Sequence, residues 1–306
     1  MAITIAYPQK YKTSLSRVYR YEEVLHVTTI YYELFVMLTP GVLFAFSRPH
    51  TIAGTLVSVP AIGSYVGGNS IDALPAALFA NLFVVGLNQI SDIHVDKINK
   101  PDLPLASGRM TTNEANRVVA AAGTVALVSS CRSPALQITV ILSMSLGTLY
   151  SVGKYRLKQS PTMAALSIIA VRGIIINVGF ASHALRKFTF PIGPVTFFGI
   201  FALVIAILKD VPDLVGDKEC GIPSFAVQLG RSPVIIASST LLCCALGAVA
   251  TTSPLKWISS SAVFTVLIVL QKTTRALVYD SKCTVVELYR TIWKIFFTSY
   301  LAMFFM

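Results

Sequence analysis

Residues 88–101 read NQISDIHVDKINKP, and they close an apolar run, 73–93, long enough to cross a membrane. A helix rising about 1.5 Å per residue needs about 20 residues to cover about 30 Å of hydrocarbon. Asn88, Asp92 and Asp96 then follow one another at four-residue steps, which places them on one helical face. What such a polar stripe does at the end of an apolar helix is decided by the rest of the chain.

The 306 residues are 54% hydrophobic and only 13% charged, with a mean hydropathy of +0.69. Soluble domains are not this apolar, so an all-α polytopic membrane protein is expected. Nine runs fit membrane spans, near 50–67, 73–93, 113–131, 135–152, 162–181, 192–210, 233–251, 256–271 and 286–305. The run 28–46 carries Glu33 and a Pro40-Gly41 break, and is expected to lie at the interface. The expected organisation is one domain, 1–306, with 1–46 as a cytoplasmic segment plus that interfacial helix. Nine spans put Lys97, Lys100, Arg109, Arg117, Lys154, Arg156, Lys158, Lys209 and Lys218 on the cytoplasmic side with the basic N-terminus, as the positive-inside rule requires.

Basic loops facing an anionic leaflet account for the net charge of +11, and no nucleic-acid partner is needed. The five cysteines, Cys131, Cys220, Cys243, Cys244 and Cys283, show neither metal spacing nor a disulfide framework. The first 27 residues contain Glu22, Glu23 and many tyrosines, so neither a cleavable signal nor a transit peptide is expected.

A second acidic window, KDVPDLVGDKECGIPSFAVQLGR, echoes the first. Asp213 and Asp217 follow Asp92 and Asp96 at the same offset, 213 − 92 = 217 − 96 = 121, and Lys218 follows Lys97 likewise. Both windows pass through a proline to a Gly-Arg pair, Gly108-Arg109 and Gly230-Arg231. Such a repeat is expected to face its two acidic ends across a central cavity.

Carboxylates about 6 Å apart repel by about 3 kcal/mol at an effective dielectric near 20. Asp92, Asp96, Asp210, Asp213 and Asp217 exceed what one lysine can neutralise. Oxygen ligands without nearby histidine or thiolate suit magnesium, which binds through one or two carboxylates plus substrate phosphates. Basic residues on the same side then become diphosphate partners: Arg48, Lys97, Lys100, Lys154, Arg156, Lys158 and Lys218. Each alone also reads as a membrane-surface anchor. A cation transporter is the competing function, although the acids sit at one face rather than at the midplane.

These residues resemble a known family. NQISDIHVDKINKPDLPLASG and KDVPDLVGDKECGIPSFAVQLG look like the two aspartate-rich motifs of the UbiA superfamily of intramembrane prenyltransferases, and FSRPHT, 46–51, is similar to the start of its first span. Asn88-Gln89, KINKP and LPLASG resemble the homogentisate prenyltransferase branch most. Many relatives outside that branch carry Arg-Pro where this chain has Leu103-Pro104. The resemblance implies a nine-helix fold around a cavity and transfer of an isoprenoid from its diphosphate to an acceptor. It implies one magnesium ion at Asn88, Asp92 and Asp96, and another at Asp213 and Asp217 with Asp210 upstream. Arg48, Lys97, Lys154, Arg156 and Lys218 would contact the diphosphate, and Tyr150, Arg172 and Asn177 would lie near the cavity.

The partners expected are a prenyl diphosphate, a small aromatic acceptor and the bilayer, with the active site on the cytoplasmic side. His50 and His94 are candidates for acceptor contact, His94 being off the acidic face. Phe180, Phe197 and Phe198 either line the cavity or simply pack. The motifs leave open a UbiA-type terpene cyclase, in which the allylic cation closes on its own double bonds. The tocopherol-branch resemblance without a transit peptide points to specialised metabolism outside plants.

Overall fold

A computed structural model describes residues 39–154, 156–279 and 281–306. Two compact units divide the chain, Met1–Phe44 and Ala45–Met306. Most of the expected N-terminal segment and interfacial helix lies outside the described residues; its end is the short helix α1, Pro40–Phe46. Everything that follows concerns the second unit.

Among the described residues the architecture is helical throughout. The long helices are α2 (Pro49–Tyr65), α3 (Leu74–Ser91), α5 (Thr112–Ser130), α6 (Pro134–Ser151), α7 with α8 (Pro161–Ile169 and Ile176–Leu185), α9 (Ile192–Leu208), α12 (Arg231–Thr252), α13 (Lys256–Val278) and α14 (Lys282–Ala302). Each overlies one of the nine expected spans. Ile71–Ser91, Pro161–Leu185, Arg231–Thr252 and Lys256–Val278 are long and apolar enough to cross a membrane by themselves, and Ile192–Leu208 is a shorter apolar helix. The full count of nine crossings remains the expectation drawn from sequence.

The ends are set by local chemistry. Thr111 and Glu114 form a capping box on α5, the Thr111 hydroxyl accepting from Glu114 N–H and the Glu114 carboxylate accepting from Thr111 N–H. Ser133 and Ser281 cap α6 and α14, and Pro134 and Pro161 sit where a missing N–H costs nothing. Exposed Leu127, Val128, Ile138, Leu149, Phe264 and Leu267 suit a protein whose solvent is lipid.

The long helices close a ring. α2 packs on α3, α3 on α5 and α6, α6 on α8, α9 on α7 and α12, α12 on α13, α13 on α14, and α14 on α2. Phe198, Phe201, Phe296 and Tyr300 knit α9 to α14, with Phe198 and Tyr300 stacked 3.7 Å apart. At one end of the ring His183 is fully buried, bonded through Nε2 to Asp72 (2.9 Å) and through Nδ1 to Ser133 (2.7 Å). That contact ties together the ends of three segments. The acids lie at the other end.

Candidate active site

The first acidic stripe survives a break in its helix. α3 stops at Ser91, Asp92 takes φ −110° and ψ 14°, and the short helix α4, Ile93–Asn99, begins. The backbone still bonds at four-residue steps, Asp92 N to Asn88 O (3.0 Å) and Asp96 N to Asp92 O (2.8 Å), so Asn88, Asp92 and Asp96 keep one face. Asn88 donates its amide to Asp92 across 3.0 Å. In the second window Asp213 precedes the short helix α10, Leu214–Glu219, with φ −95° and ψ 3°, and Asp217 N bonds Asp213 O at 3.0 Å. Equivalent residues of the repeat therefore occupy equivalent backbone positions.

The two windows meet where α4 packs on α10. Asn99 joins them, donating to Asp217 (3.4 Å) and accepting from Gly216 N–H (3.2 Å). A Cβ on Gly216 would fall 2.3 Å from the Asn99 Oδ1, so only glycine admits this approach. Lys100 forms an ion pair with Asp213. The other carboxylates also have cations: Lys158 reaches Asp92 at 2.5 Å, Lys209 reaches Asp210 at 2.5 Å, and Arg48 stands 3.7 Å from Asp96. Arg48 caps α2 in the left-handed region, φ 50° and ψ 82°, a conformation costing about 1–3 kcal/mol in a non-glycine residue.

Two of these carboxyls are nevertheless held away from their ordinary range. Burial raises the Asp96 carboxyl above its ordinary range, against the opposing pull of Arg48 and Lys100. Burial, reinforced by Asp210 and Asp213, raises Asp217 to about 6. Asp96 Oδ2 is buried and accepts no hydrogen bond, which leaves it available to a hard cation. Among the described residues no three acidic, histidine or cysteine side chains converge as a ready-made metal cage. The donor set therefore fits a cation that completes its shell with water and phosphate, as magnesium does.

Below the acids a cavity of about 1160 Å³ opens between the helices. Asn88, Asp92, Asp96, Asp210, Asp213 and Asp217 line it together with Arg48, His50, Tyr150, Arg156 and Arg172. Lys97, Lys154 and Lys218 are exposed and lie outside the lining, where Lys100, Lys158 and Lys209 take part instead. The four-residue step reveals two of these: Lys100 continues 88, 92, 96, and Lys209 precedes 213, 217. Asn177 also lies outside the lining; its buried amide serves the backbone carbonyls of Arg172 and Gly173 and accepts from Tyr300. His94 is exposed. Phe180 lines the cavity, whereas Phe197 and Phe198 pack in the aromatic cluster. Lys282, Arg290 and Lys294, on one face of α14, line it as well and were not anticipated.

Ala77, Ala80, Val84, Val140 and Leu146 give the α3–α6 wall an apolar surface. His50, Arg172, Tyr289 and Trp293 add an aromatic and cationic surface to the same cavity. A ring of helices with paired acidic motifs at the head of a half-apolar cavity defines an integral membrane enzyme that handles an anionic head group on an apolar chain.

The chain belongs to the UbiA prenyltransferase family, whose model matches residues 49–299. It is 36% identical over 290 residues to homogentisate phytyltransferase 1, chloroplastic, of Arabidopsis thaliana, covering 84% of this chain and 73% of that one. It is 34% identical over 296 residues to the homogentisate phytyltransferase of Synechocystis, covering 87% and 95%. The fold is similar to that of a UbiA homologue from Archaeoglobus fulgidus bound to GPP and Mg2+, with a TM-score of 0.60, 16% identity, and coverage of 87% of this chain and all of that one.

Proposed function

We propose that this prenyltransferase moves an isoprenoid group from an allylic prenyl diphosphate to a ring carbon of an aromatic acceptor, such as homogentisate, a hydroquinone or a related phenol. The meeting of two acidic motifs with their own cations above a cavity half apolar and half aromatic carries this reading. Asn88, Asp92 and Asp96 would hold one magnesium ion, and Asp210, Asp213 and Asp217 another. Bound there, magnesium supplies charge that stabilises the departing diphosphate.

The side chains do the rest. Lys100, Lys158 and Lys209 exchange a carboxylate for a phosphate oxygen, and Arg48 and Arg156 complete the cationic rim. Burial lowers the pKa of the Lys158 ammonium group against the pull of Asp92, so this cation gains from a second anion. The C1–O bond breaks with its electron pair leaving on the diphosphate, a ring π pair forms the new C–C bond, and the ring proton is lost to solvent. The Val84, Val140 and Phe180 surface keeps water from the allylic cation meanwhile. Exposure of Lys97, Lys154 and Lys218 favours their reading as anchors on a cytoplasmic membrane surface.

Product mass tests this. Purified protein with magnesium, geranyl, farnesyl or geranylgeranyl diphosphate, and either homogentisate or hydroquinone should yield the acceptor plus one prenyl unit. A hydrocarbon formed without any acceptor would instead establish a cyclase, and ion flux without diphosphate a transporter.

A further inference from the structure

Arg172 is a cation placed in the cavity wall without an anion. Among the described residues no carboxylate pairs with it, whereas every acid of the two motifs has a cationic or amide partner. Its guanidinium lies 5.1 Å from the Trp293 ring centroid, and the same ring meets His50 edge-on at 5.3 Å and Tyr289 at 6.3 Å. All four side chains line the cavity.

The backbone is distorted to hold it there. Residues Ala170–Ile175 form a π-helix between α7 and α8, a rare geometry that tends to occur at functional sites. Asn177 secures the bulge by donating to the carbonyls of Arg172 and Gly173, both at 2.9 Å. A Cβ on Gly173 would fall 2.7 Å from the Gly199 Cα, so α9 abuts the bulge backbone to backbone. Trp293 places Arg172 near His50, two residues from Arg48, yet among the described residues Arg172 forms no ion pair with a carboxylate of either acidic motif.

An arginine beside three aromatic rings suits a flat molecule with a carboxylate. The rings offer stacking faces, and the guanidinium fork matches two carboxylate oxygens. We propose that Arg172, with Trp293, His50 and Tyr289, forms the acceptor subsite, and that it selects a phenol carrying a carboxylate over the same ring without one. This rests on the transferase reading but is separable from it. Arg172 is a specificity residue here, bound to the end of the acceptor remote from the reacting carbon.

Homogentisate and 2-methylhydroquinone share a ring and differ in the carboxylate. With wild-type enzyme, kcat/KM should favour homogentisate by about 30-fold or more. Arg172→Gln should raise the homogentisate KM by a similar factor and erase the preference, while KM for the prenyl diphosphate and kcat/KM for 2-methylhydroquinone stay within about threefold. Arg172→Lys should restore part of the preference. Equal loss with both acceptors, or a raised prenyl-diphosphate KM, would assign Arg172 elsewhere and overturn the proposal.

Binding supplies a readout that does not need turnover. On a Trp257→Phe background, where Trp293 is the remaining tryptophan, phenylacetate should quench fluorescence and its methyl ester should not. Quenching in an enzyme that transfers to no acceptor would defeat the transferase reading and leave the carboxylate subsite standing. Active enzyme with neither quenching nor acceptor preference would do the reverse. The wild-type comparisons suffice even if Arg172→Gln does not accumulate.

Discussion

The two acidic windows share a backbone and differ in their cations. Asp92 and Asp213 take nearly the same dihedral angles before a short helix, and Asp96 and Asp217, one turn on, are both buried. The first window is served from elsewhere, Asp92 by Lys158 beyond α6 and Asp96 by Arg48 ahead of α2. The second is served by Lys209 from its own helix end and by Lys100 and Asn99 from the first window. At the position equivalent to Asn99, 99 + 121 = 220, stands an exposed cysteine. The backbone symmetry suits two equivalent acidic sites; the cations make the second window depend on the first.

The largest effect tests the symmetry. Asp92→Ala and Asp213→Ala should each lower kcat by about 10³-fold or more, as removal of principal electrostatic stabilisers does. Single-turnover product analysis would break the equivalence if one variant kept near-normal chemistry.

The asymmetry of the cations predicts a smaller contrast. Lys100→Ala and Lys158→Ala should lower kcat/KM for the prenyl diphosphate by about 10²-fold, while Lys97→Ala and Lys218→Ala, at exposed sites, should change it by less than about threefold. Equal losses across the four lysines would contradict the placement of the rim.

The joint itself is expected to show the smallest kinetic effect and the clearest stability effect. Asn99→Ala removes two interwindow hydrogen bonds and should cost about 1–3 kcal/mol, measured by thermal or denaturant unfolding in detergent. Cys220→Ala should cost almost nothing. Asp217→Asn should behave oppositely, because a carboxyl raised from 3.8 to about 6 binds its proton more tightly folded than unfolded. Its cost is absent below about pH 4, grows through pH 6 and is complete above it. Without metal at pH 7.5 the asparagine variant should therefore melt higher than wild type, and below pH 4 the gain should vanish.

Much of this was legible from spacing alone. A helix must bury or expose about 20 residues together, so the run 192–210 anticipates α9 at Ile192–Leu208 closely. The offset of 121 anticipates equivalent positions for Asp92 and Asp213, because both follow from helical period. The expectation of Lys97 and Lys218 as diphosphate partners rests on the repeat offset rather than on that period. Neighbouring residues on a helix point about 100° apart, so if Asp96 faces the cavity then Lys97 faces away, whereas Lys100 returns to the same face. Lys158 follows no such pattern, since a loop delivers it across 66 residues. The π-helix at Ala170–Ile175 also left no local mark in VRGIII; the packing of Gly173 on Gly199 and the Asn177 amide fix it, and both are tertiary contacts.

The lysine–carboxylate pairs also bear on how the protein is made. An unpaired carboxylate at the end of a nascent transmembrane helix resists insertion, and a fold that needed a metal to cancel it could assemble only where that metal was already bound. Here Lys158, Lys209, Lys100 and Arg48 cancel much of the charge from within the chain. Such internal pairing is expected to let the polypeptide insert and fold without waiting for a bound metal, which unfolding in detergent with and without chelator would check.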